Sequence, residues 1–388
     1  MSDTGNDPRA SLRSEERQSL VLFSETFYPS TSGGAHTRWM FAKRAAQWGW
    51  DVTVFTFRGP NTPRNETVEG VRIRRPAPGS PSFLPEYSNL SIPIRIFSAV
   101  FVFFHAAWWF YRHEVDAIHS ASHVFHWAAK LLGILYDVPV TNFIGYTPSL
   151  NDGVPIRQVF ERVNFRLFMG DTVYCRTPHV KEAVQSVGNT DVRILHGILH
   201  AEKFDSLGDV RDIRSAHGIP EDAILIAFVG RLVPIKRPGR ALQTIAELPS
   251  EFHLMVVGDG PKKRDLTRLV ETNGLESRVT IAGELPHDEA LAVLKSCDIL
   301  QLTSRTESYG AVVFEALAVG LNVVAPPIGV FPSLDHGRLH VVPVEDHVDI
   351  IPDIGGGSQR VDQDTLQEFS MERYTEEILE RTIDLCRS

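Results

Sequence analysis

The sequence predicts an α/β protein made of two doubly wound parallel sheets. Short apolar, β-branched runs alternate with longer amphipathic stretches along nearly the whole chain. The alternation breaks once, near residues 195–209, and then restarts. A length of 388 residues suits two domains of common size, and a hydrophobic content of 43% is enough to fill two cores.

In the first half, LVLFSE (20–25), DVTVFT (51–56), DAIHS (116–120), VPVTNFI (138–144) and DTVYC (171–175) read as buried strands. Helical periodicity covers 36–49, 123–136 and 156–169. In the second half the strands are ILIAFVG (224–230), HLMVVG (253–258), RVTIAG (278–283), DILQLTS (298–304) and NVVAPP (322–327). Helices are predicted over 237–247, 262–272, 287–296 and 311–319, and an amphipathic helix over 365–386 has Ser370 as an internal start. The domain limits follow: a leader (1–18), a first domain (19–200), a second domain (201–365), and a C-terminal helix (366–388) returning to the first. The leader is polar and lacks the apolar run of a signal peptide, so disorder is expected there.

Composition narrows the function. Lys and Arg number 39 against 48 Asp and Glu, a formal charge of −9. That balance argues against nucleic acid as a partner and leaves room only for local basic patches. Cys175, Cys297 and Cys386 form no C-x-x-C pair, which excludes a disulfide framework or zinc site and fits a cytoplasmic protein. One aromatic stretch, IPIRIFSAVFVFFHAAWWFY, opens on Ile92 and closes on Tyr111. Pro93, Arg95 and His105 interrupt it, so its apolar parts fall short of the roughly 20 residues of a spanning helix. Two readings stay open: a buried core helix, or an interfacial helix with Trp108, Trp109 and Tyr111 at headgroup depth. The second would place the protein peripherally at the inner face of a membrane.

Ligands of open α/β sheets bind outside the carboxyl ends of the strands, and the chemistry-bearing residues stand there. GRLVPIKRP places Arg231 and Lys236 five positions apart after a strand, either a diphosphate clamp or a solvated basic loop. In VVGDGPKKRDL, Gly258 and Gly260 permit a tight turn or close approach to a ligand. Lys263 stands where a dinucleotide fingerprint needs its third glycine, which argues against a nicotinamide enzyme. TSRTESYGAVVFEALAVG sets Glu307 and Glu315 eight apart around a helix start. Tyr309, Gly310 and Ala311 offer backbone amides to an anion. Glu315, on an otherwise apolar helix face, needs a hydroxyl or a cation as partner. In the first half, Gly33 and Gly34 stand at a helix entrance where a loop can fold over a diphosphate, and Arg38 follows one turn on. His119 ends a strand, while His123 and His126 begin the next helix as packing or functional groups.

In this order and spacing, GRLVPIK, VVGDGP and ESYGAVVFEALAVG resemble the C-terminal domain of retaining GT-B glycosyltransferases of family 4, nearest to the sulfolipid-synthase and mannosyltransferase branch. The similarity runs from Leu20 onward. It implies two Rossmann-like domains with an interdomain cleft. It also implies retaining, metal-independent hexosyl transfer from a UDP- or GDP-linked sugar to a lipid-linked or glycan acceptor. The nucleotide sugar is then a substrate, and no cofactor is required. By the same resemblance Arg231 and Lys236 would neutralise the donor diphosphate, and Glu307 would hold hydroxyls of the transferred sugar. The amides of Tyr309, Gly310 and Ala311 would bind phosphate, Glu315 the ribose, and Gly33, Gly34 and Gly258 would adjoin the donor. His119 would face the cleft as a catalytic group beside Arg231, Lys236 and Glu307.

The chain also departs from the family pattern. Tyr146 or Thr147 stands where many relatives carry a histidine, Ile235 replaces an acidic residue, and LHGILH (195–200) replaces PNGVD. Residues 346–359 are short and glycine-rich, so a helix late in the second sheet is expected to be missing. Two alternatives share the clamp: a nucleotide-sugar 2-epimerase, and a non-catalytic GT-B binding subunit.

Overall fold

The computed structural model describes residues 18–30, 33–79, 91–146, 155–188, 190–205, 211–307, 309–355 and 360–387. The expected leader (to residue 17), Thr147 and residues 356–359, which hold the last two glycines of the run, lie outside them. The chain forms two compact units: Met1–Gly197 with Met371–Ser388, and Ile198–Ser370.

Unit 1 runs β1 (Ser19–Ser24), α1 (Gly33–Gln47), β2 (Asp51–Thr56), β3 (Asn65–Val68), β4 (Val71–Arg74), α2 (Ser91–Phe110) and β5 (Ala117–Ser120). It continues through α3 (His126–Tyr136), β6 (Val140–Ile144), α4 (Pro155–Leu167), β7 (Thr172–Cys175), α5 (Pro178–Gln185) and β8 (Asp191–Ile194). The sheet order is β3-β4-β2-β1-β5-β6-β7-β8, parallel except for the β3–β4 hairpin. Unit 2 comprises α6 (Ala201–Asp205), α7 (Arg211–Ala216), β9 (Ile224–Val229), α8 (Pro238–Glu247), β10 (Phe252–Val257), α9 (Lys263–Thr272) and β11 (Val279–Gly283). Then come α10 (His287–Ser296), β12 (Ile299–Gln301), α11 (Ala311–Ala318), β13 (Asn322–Ala325), β14 (Leu339–Val341), α12 (His347–Ile354) and α13 (Gln363–Glu368). Its sheet is wholly parallel, ordered β11-β10-β9-β12-β13-β14. The last helix, α14 (Met371–Arg387), returns to unit 1.

Both sheets are covered on two faces, as near-continuous apolar strands require. In unit 1, Leu20, Leu22, Phe41 and Trp50 pack with Tyr374 and Ile378 of α14 on one face. Val21, Phe23 and Phe55 pack under Val102 and Trp109 of α2 and Leu132 of α3 on the other. In unit 2, β9 lies between β10 and β12, so three strands end close together at the switch point where doubly wound sheets bind ligands.

Several elements differ from expectation. A helix, α12, occupies the stretch expected to have lost one. Its apolar residues Val348 and Ile351 pack on the sheet, and the glycine run begins only after it ends. The predicted 365–386 helix is two helices parted at Ser370, and the seams between units fall at 197/198 and 370/371. Helix α3 begins at His126, leaving His123 in the preceding turn. The β3–β4 hairpin and strands β8 and β14 are three or four residues each and half exposed, with too few apolar positions to show a period. The aromatic stretch forms a helix with one buried and one exposed face. Ala99, Val102, Ala106, Trp109 and Phe110 of α2 are buried, while Phe97, Phe101, Phe104 and Trp108 are exposed.

Candidate active site

The densest polar arrangement in unit 2 lies at the carboxyl ends of β9 and β12. Beyond β9, residues Pro234–Lys236 form one 3-10 turn, and Arg237 then adopts a left-handed conformation (φ 50°) before Pro238 opens α8. Arg237 anchors that strained corner: Nε donates to Thr303 O (2.7 Å) and Nη2 to Ser304 O (3.1 Å). Thr303 Oγ1 answers by donating to the carbonyls of Lys236 (2.9 Å) and Arg237 (3.0 Å). The turn is thereby pinned to the end of β12, and it delivers Lys236 Nζ onto Glu307 Oε1. Ser304 Oγ donates to the same oxygen (2.8 Å), whereas Glu307 Oε2 has no hydrogen bond among the described residues. Both side chains are largely buried, at 22% and 10% exposure, so the pair sits where charge interactions are stronger than in bulk water. Arg231 stands exposed just after β9, and its side chain makes no hydrogen bond or ion pair among the described residues.

Three residues after Glu307, Gly310 caps α11 with φ 70°. A Cβ there would lie 2.6 Å from Phe331 Cζ, so glycine is required both by conformation and by space. The first amides of the helix, those of Gly310, Ala311 and Val312, have no acceptor among the described residues. Tyr309 is buried and stacks on Phe314 (centroids 4.5 Å apart, 15° between planes), which fixes the approach to the helix. One turn in, Glu315 Oε1 meets His287 Nε2 at 2.9 Å, and Lys203 Nζ reaches both His287 Nδ1 (3.0 Å) and Asp288 Oδ1 (2.7 Å). The partner that Glu315 needs is thus an imidazole of α10. Gly258 and Gly260 serve the chain itself: a Cβ at Gly258 would lie 2.0 Å from Gly230 O, and one at Gly260 2.6 Å from Leu232 O. Their close approach is to the Arg231 loop, which Leu232 N→Asp259 O (2.8 Å) also ties down.

This geometry coincides with two family descriptions. Residues 209–335 match "Glycosyl transferases group 1", and residues 32–194 match "Glycosyl transferase 4-like domain". The second half of the chain thus carries a group 1 glycosyltransferase domain, and the first half a glycosyl transferase 4-like one. The 2-deoxystreptamine glucosyltransferase of Streptomyces kanamyceticus is 30% identical over 213 residues, 52% of this chain and 55% of that one. The D-inositol 3-phosphate glycosyltransferase of Mycobacterium tuberculosis is 35% identical over 131 residues, 32% of this chain and 27% of that one. The chain therefore spans about half the length of the first relative and about a quarter of the second. Anabaena HepE, solved in complex with UDP, has the same fold, with a TM-score of 0.65 at 16% identity over 95% of this chain and 97% of that one. The architecture is accordingly GT-B, with two Rossmann-like domains.

In unit 1 one site expectation is corrected. His119 does not face open space: it is 1% exposed, its Nδ1 2.8 Å from Thr141 Oγ1 and its ring 5.0 Å from Phe41. All four residues of β5 are buried, because β5 lies mid-sheet with helices over both faces. Burial, then the nearby Arg38 charge, lowers its pKa to about 3, so at neutral pH it is an uncharged core group. Ala121, two residues on, is buried as well.

His123 and His126 are likewise buried and lowered to about 3, both chiefly by desolvation. His126 Nδ1 accepts from Ser120 Oγ (3.0 Å) and Asn142 Nδ2 (3.1 Å), the Asn142 carbonyl being taken by Gly170 N. The His126 proton therefore resides on Nε2. Tyr146 packs its ring against His123, 5.3 Å between centroids.

Gly33 and Gly34 open α1, and Arg38 reaches back from it to Thr26 Oγ1 (2.8 Å) and Thr26 O (3.2 Å), binding the helix start to the loop after β1. A Cβ on Gly34 would press within 3.2 Å of the Arg38 guanidinium. That loop borders a pocket of about 380 Å³ lined by Glu25, Tyr28, Arg58, Arg75 and Arg95 among others. Glu25 holds Arg95 at 2.9 Å and Glu66 holds Arg75 at 2.6 Å, so the pocket wall is charged and rigid.

Sequence reasoning missed Arg237, Thr303, Ser304, His287 and Lys203. Of these only Arg237 left a trace, as a cation immediately before Pro238 in the clamp segment. The others act through contacts made across 66 residues or more, or from an ordinary helix start, and no local pattern marks them.

Proposed function

We propose that this glycosyltransferase moves a hexosyl group from a UDP- or GDP-linked sugar to a lipid-linked or glycan acceptor, with retention of configuration and without a metal ion. The observation that carries this reading is the Lys236–Glu307 pair standing three residues before the open amides of α11. A leaving nucleoside diphosphate develops negative charge. Arg231, Lys236 and the Gly310 and Ala311 amides supply fixed positive ends for it, the kind of stabilisation that magnesium gives in other enzymes. Glu307 Oε2 is available to sugar hydroxyls, and Glu315 to ribose hydroxyls beside His287. UDP in Anabaena HepE supports a nucleoside diphosphate ligand. With His119 buried and neutral, this reading gives it no acid–base task, and bond breaking rests on charge stabilisation at the donor.

The lipid-linked acceptor is supported by the unit 1 pocket beside Glu25, because it shares Arg58, Gly59, Pro60, Thr62 and Gly79 with a larger hollow against the aromatic helix α2. The reading places the protein in the cytoplasm, peripheral at the inner membrane face through residues 92–111. The test is transfer from a panel of UDP- and GDP-hexoses in the presence of EDTA, with the product's anomeric proton followed by NMR. The reading expects the donor's configuration in the product and an unchanged rate in EDTA. Inverted product, a rate abolished by EDTA, or isomerised donor without acceptor would each contradict it.

A further inference from the structure

Helix α2 carries one Asp, Glu, Lys or Arg in twenty residues, Arg95, and that residue is buried against Glu25. From position 97 onward its solvent side is therefore Phe97, Val100, Phe101, Phe104, His105 and Trp108, extended by Tyr111 just beyond it. Spacings of three and four keep these on one stripe. Phe97 is 77% exposed and Tyr111 81%, far more than a core helix allows. The neighbouring helices of the same layer continue the apolar face: α2 packs on α3 and α3 on α4. There Leu131, Ile134 and Leu135, and then Val159, Val163 and Leu167, are exposed as well. Apolar surface on this scale marks an interaction site.

The edge of the stripe is basic. Two adjoining hollows, of about 950 and 290 Å³, lie between α2 and the β3–β4 hairpin, and both include Arg64, Pro76 and Phe101 in their walls. Their charged lining is Arg58, Arg64 and Arg74 with no Asp or Glu, in a chain of net charge −9. Arg74 lies 5.7 Å from the Trp109 ring centroid, and its buried Nε has no hydrogen-bond partner among the described residues. At the other end of the stripe, the Arg112 guanidinium sits 4.1 Å over Trp108. Aromatic rings at an interface, flanked by arginines, match the boundary between acyl chains and phosphate headgroups.

The geometry points to a docking surface for an anionic bilayer: α2 lies flat, its aromatic stripe entering the acyl boundary, while Arg58, Arg64 and Arg74 engage lipid phosphates. The inference rests on the peripheral placement proposed above and names its lipid chemistry and its residues. Lying flat follows from the opposite face of α2, whose Ala99, Val102, Ala106, Trp109 and Phe110 belong to the unit 1 core. A crossing helix would have to withdraw them. The adjoining pocket beside Glu25 then receives the head of an acceptor whose tail stays in the membrane.

Flotation of the full chain with phosphatidylcholine vesicles, and with vesicles containing phosphatidylglycerol, tests this. The protein is expected to float with the anionic vesicles, at least about tenfold more than with the neutral ones, and to release in high salt. Phe104→Glu, at an exposed position, is expected to abolish flotation. Arg58→Gln with Arg64→Gln is expected to remove roughly tenfold of it and the anionic preference. Wild-type protein left wholly at the bottom of the gradient overturns the proposal. So does a dimer in light scattering that Phe104→Glu converts to monomer without vesicle binding, since the face would then join two copies. A thermal-shift measurement with nucleotide sugars on the same variants separates the two readings. Retained donor binding without flotation removes the membrane surface alone, and flotation without donor binding removes transfer alone.

Discussion

Unit 2 keeps the charged groups of its site at strand and helix ends, partly buried and already paired, Lys236 with Glu307 and Glu315 with His287. Unit 1 buries three histidines, His119 in β5, His123 in the turn after it and His126 at the start of α3, each lowered to about 3. A pair at a strand end can exchange one partner for a ligand at small cost, since each group stays bonded throughout. A buried imidazole cannot gain a charge without giving up its packing. The contrast assigns electrostatic work to unit 2, and to unit 1 a rigid neutral frame that carries the Glu25 pocket and the apolar face.

The largest expected effect would break that contrast through acid. A group whose folded pKa is lowered contributes stability in full above its unfolded value near 6.5, and loses it as pH falls toward the folded value. The three histidines, lowered to about 3 chiefly by desolvation, therefore cost stability progressively as pH falls from 6.5 toward that value. Calorimetry between pH 7 and 5 should show unit 1 melting first, and replacing His119 with Asn should flatten its slope while leaving kcat within about tenfold. A kcat loss beyond that, with Tm unchanged, would return His119 to catalysis. Next, Lys236→Ala should cost about 100- to 1,000-fold in transfer rate with little effect on the unit 1 transition. Gly310→Ala should destabilise unit 2 by about 1–3 kcal/mol, from its positive φ and the contact with Phe331, and should weaken donor binding in parallel. The smallest effect is Glu315→Gln: about a tenfold rise in donor KM with kcat nearly kept, read from steady-state kinetics.

The legibility of the chain follows the same division. The strands of unit 2, the Arg231–Lys236 segment and the Glu307–Glu315 element were readable because each is local: a strand, a turn and a helix start within a few residues. The pairing of Lys236 with Glu307 joins positions 71 apart and was not readable, nor was the use of Gly258 and Gly260 to pass their own backbone. In unit 1 the strands were readable, but the environment of His119 depends on the helices that cover each face of β5. A strand-end histidine looks alike in sequence whether it faces solvent or Phe41. Helix α12 is hard to read in sequence because its short apolar period contains Pro352 and abuts the glycine run.

Titration calorimetry of the intact chain with a nucleoside diphosphate, the matching monophosphate and the nucleoside, in EDTA, tests the central claim most directly. An anion clamp at Arg231, Lys236 and the start of α11 predicts that UDP or GDP binds at least about tenfold more tightly than its monophosphate, and that Lys236→Ala removes the difference. Equal affinity for all three ligands, or a diphosphate preference untouched by Lys236→Ala, would contradict it.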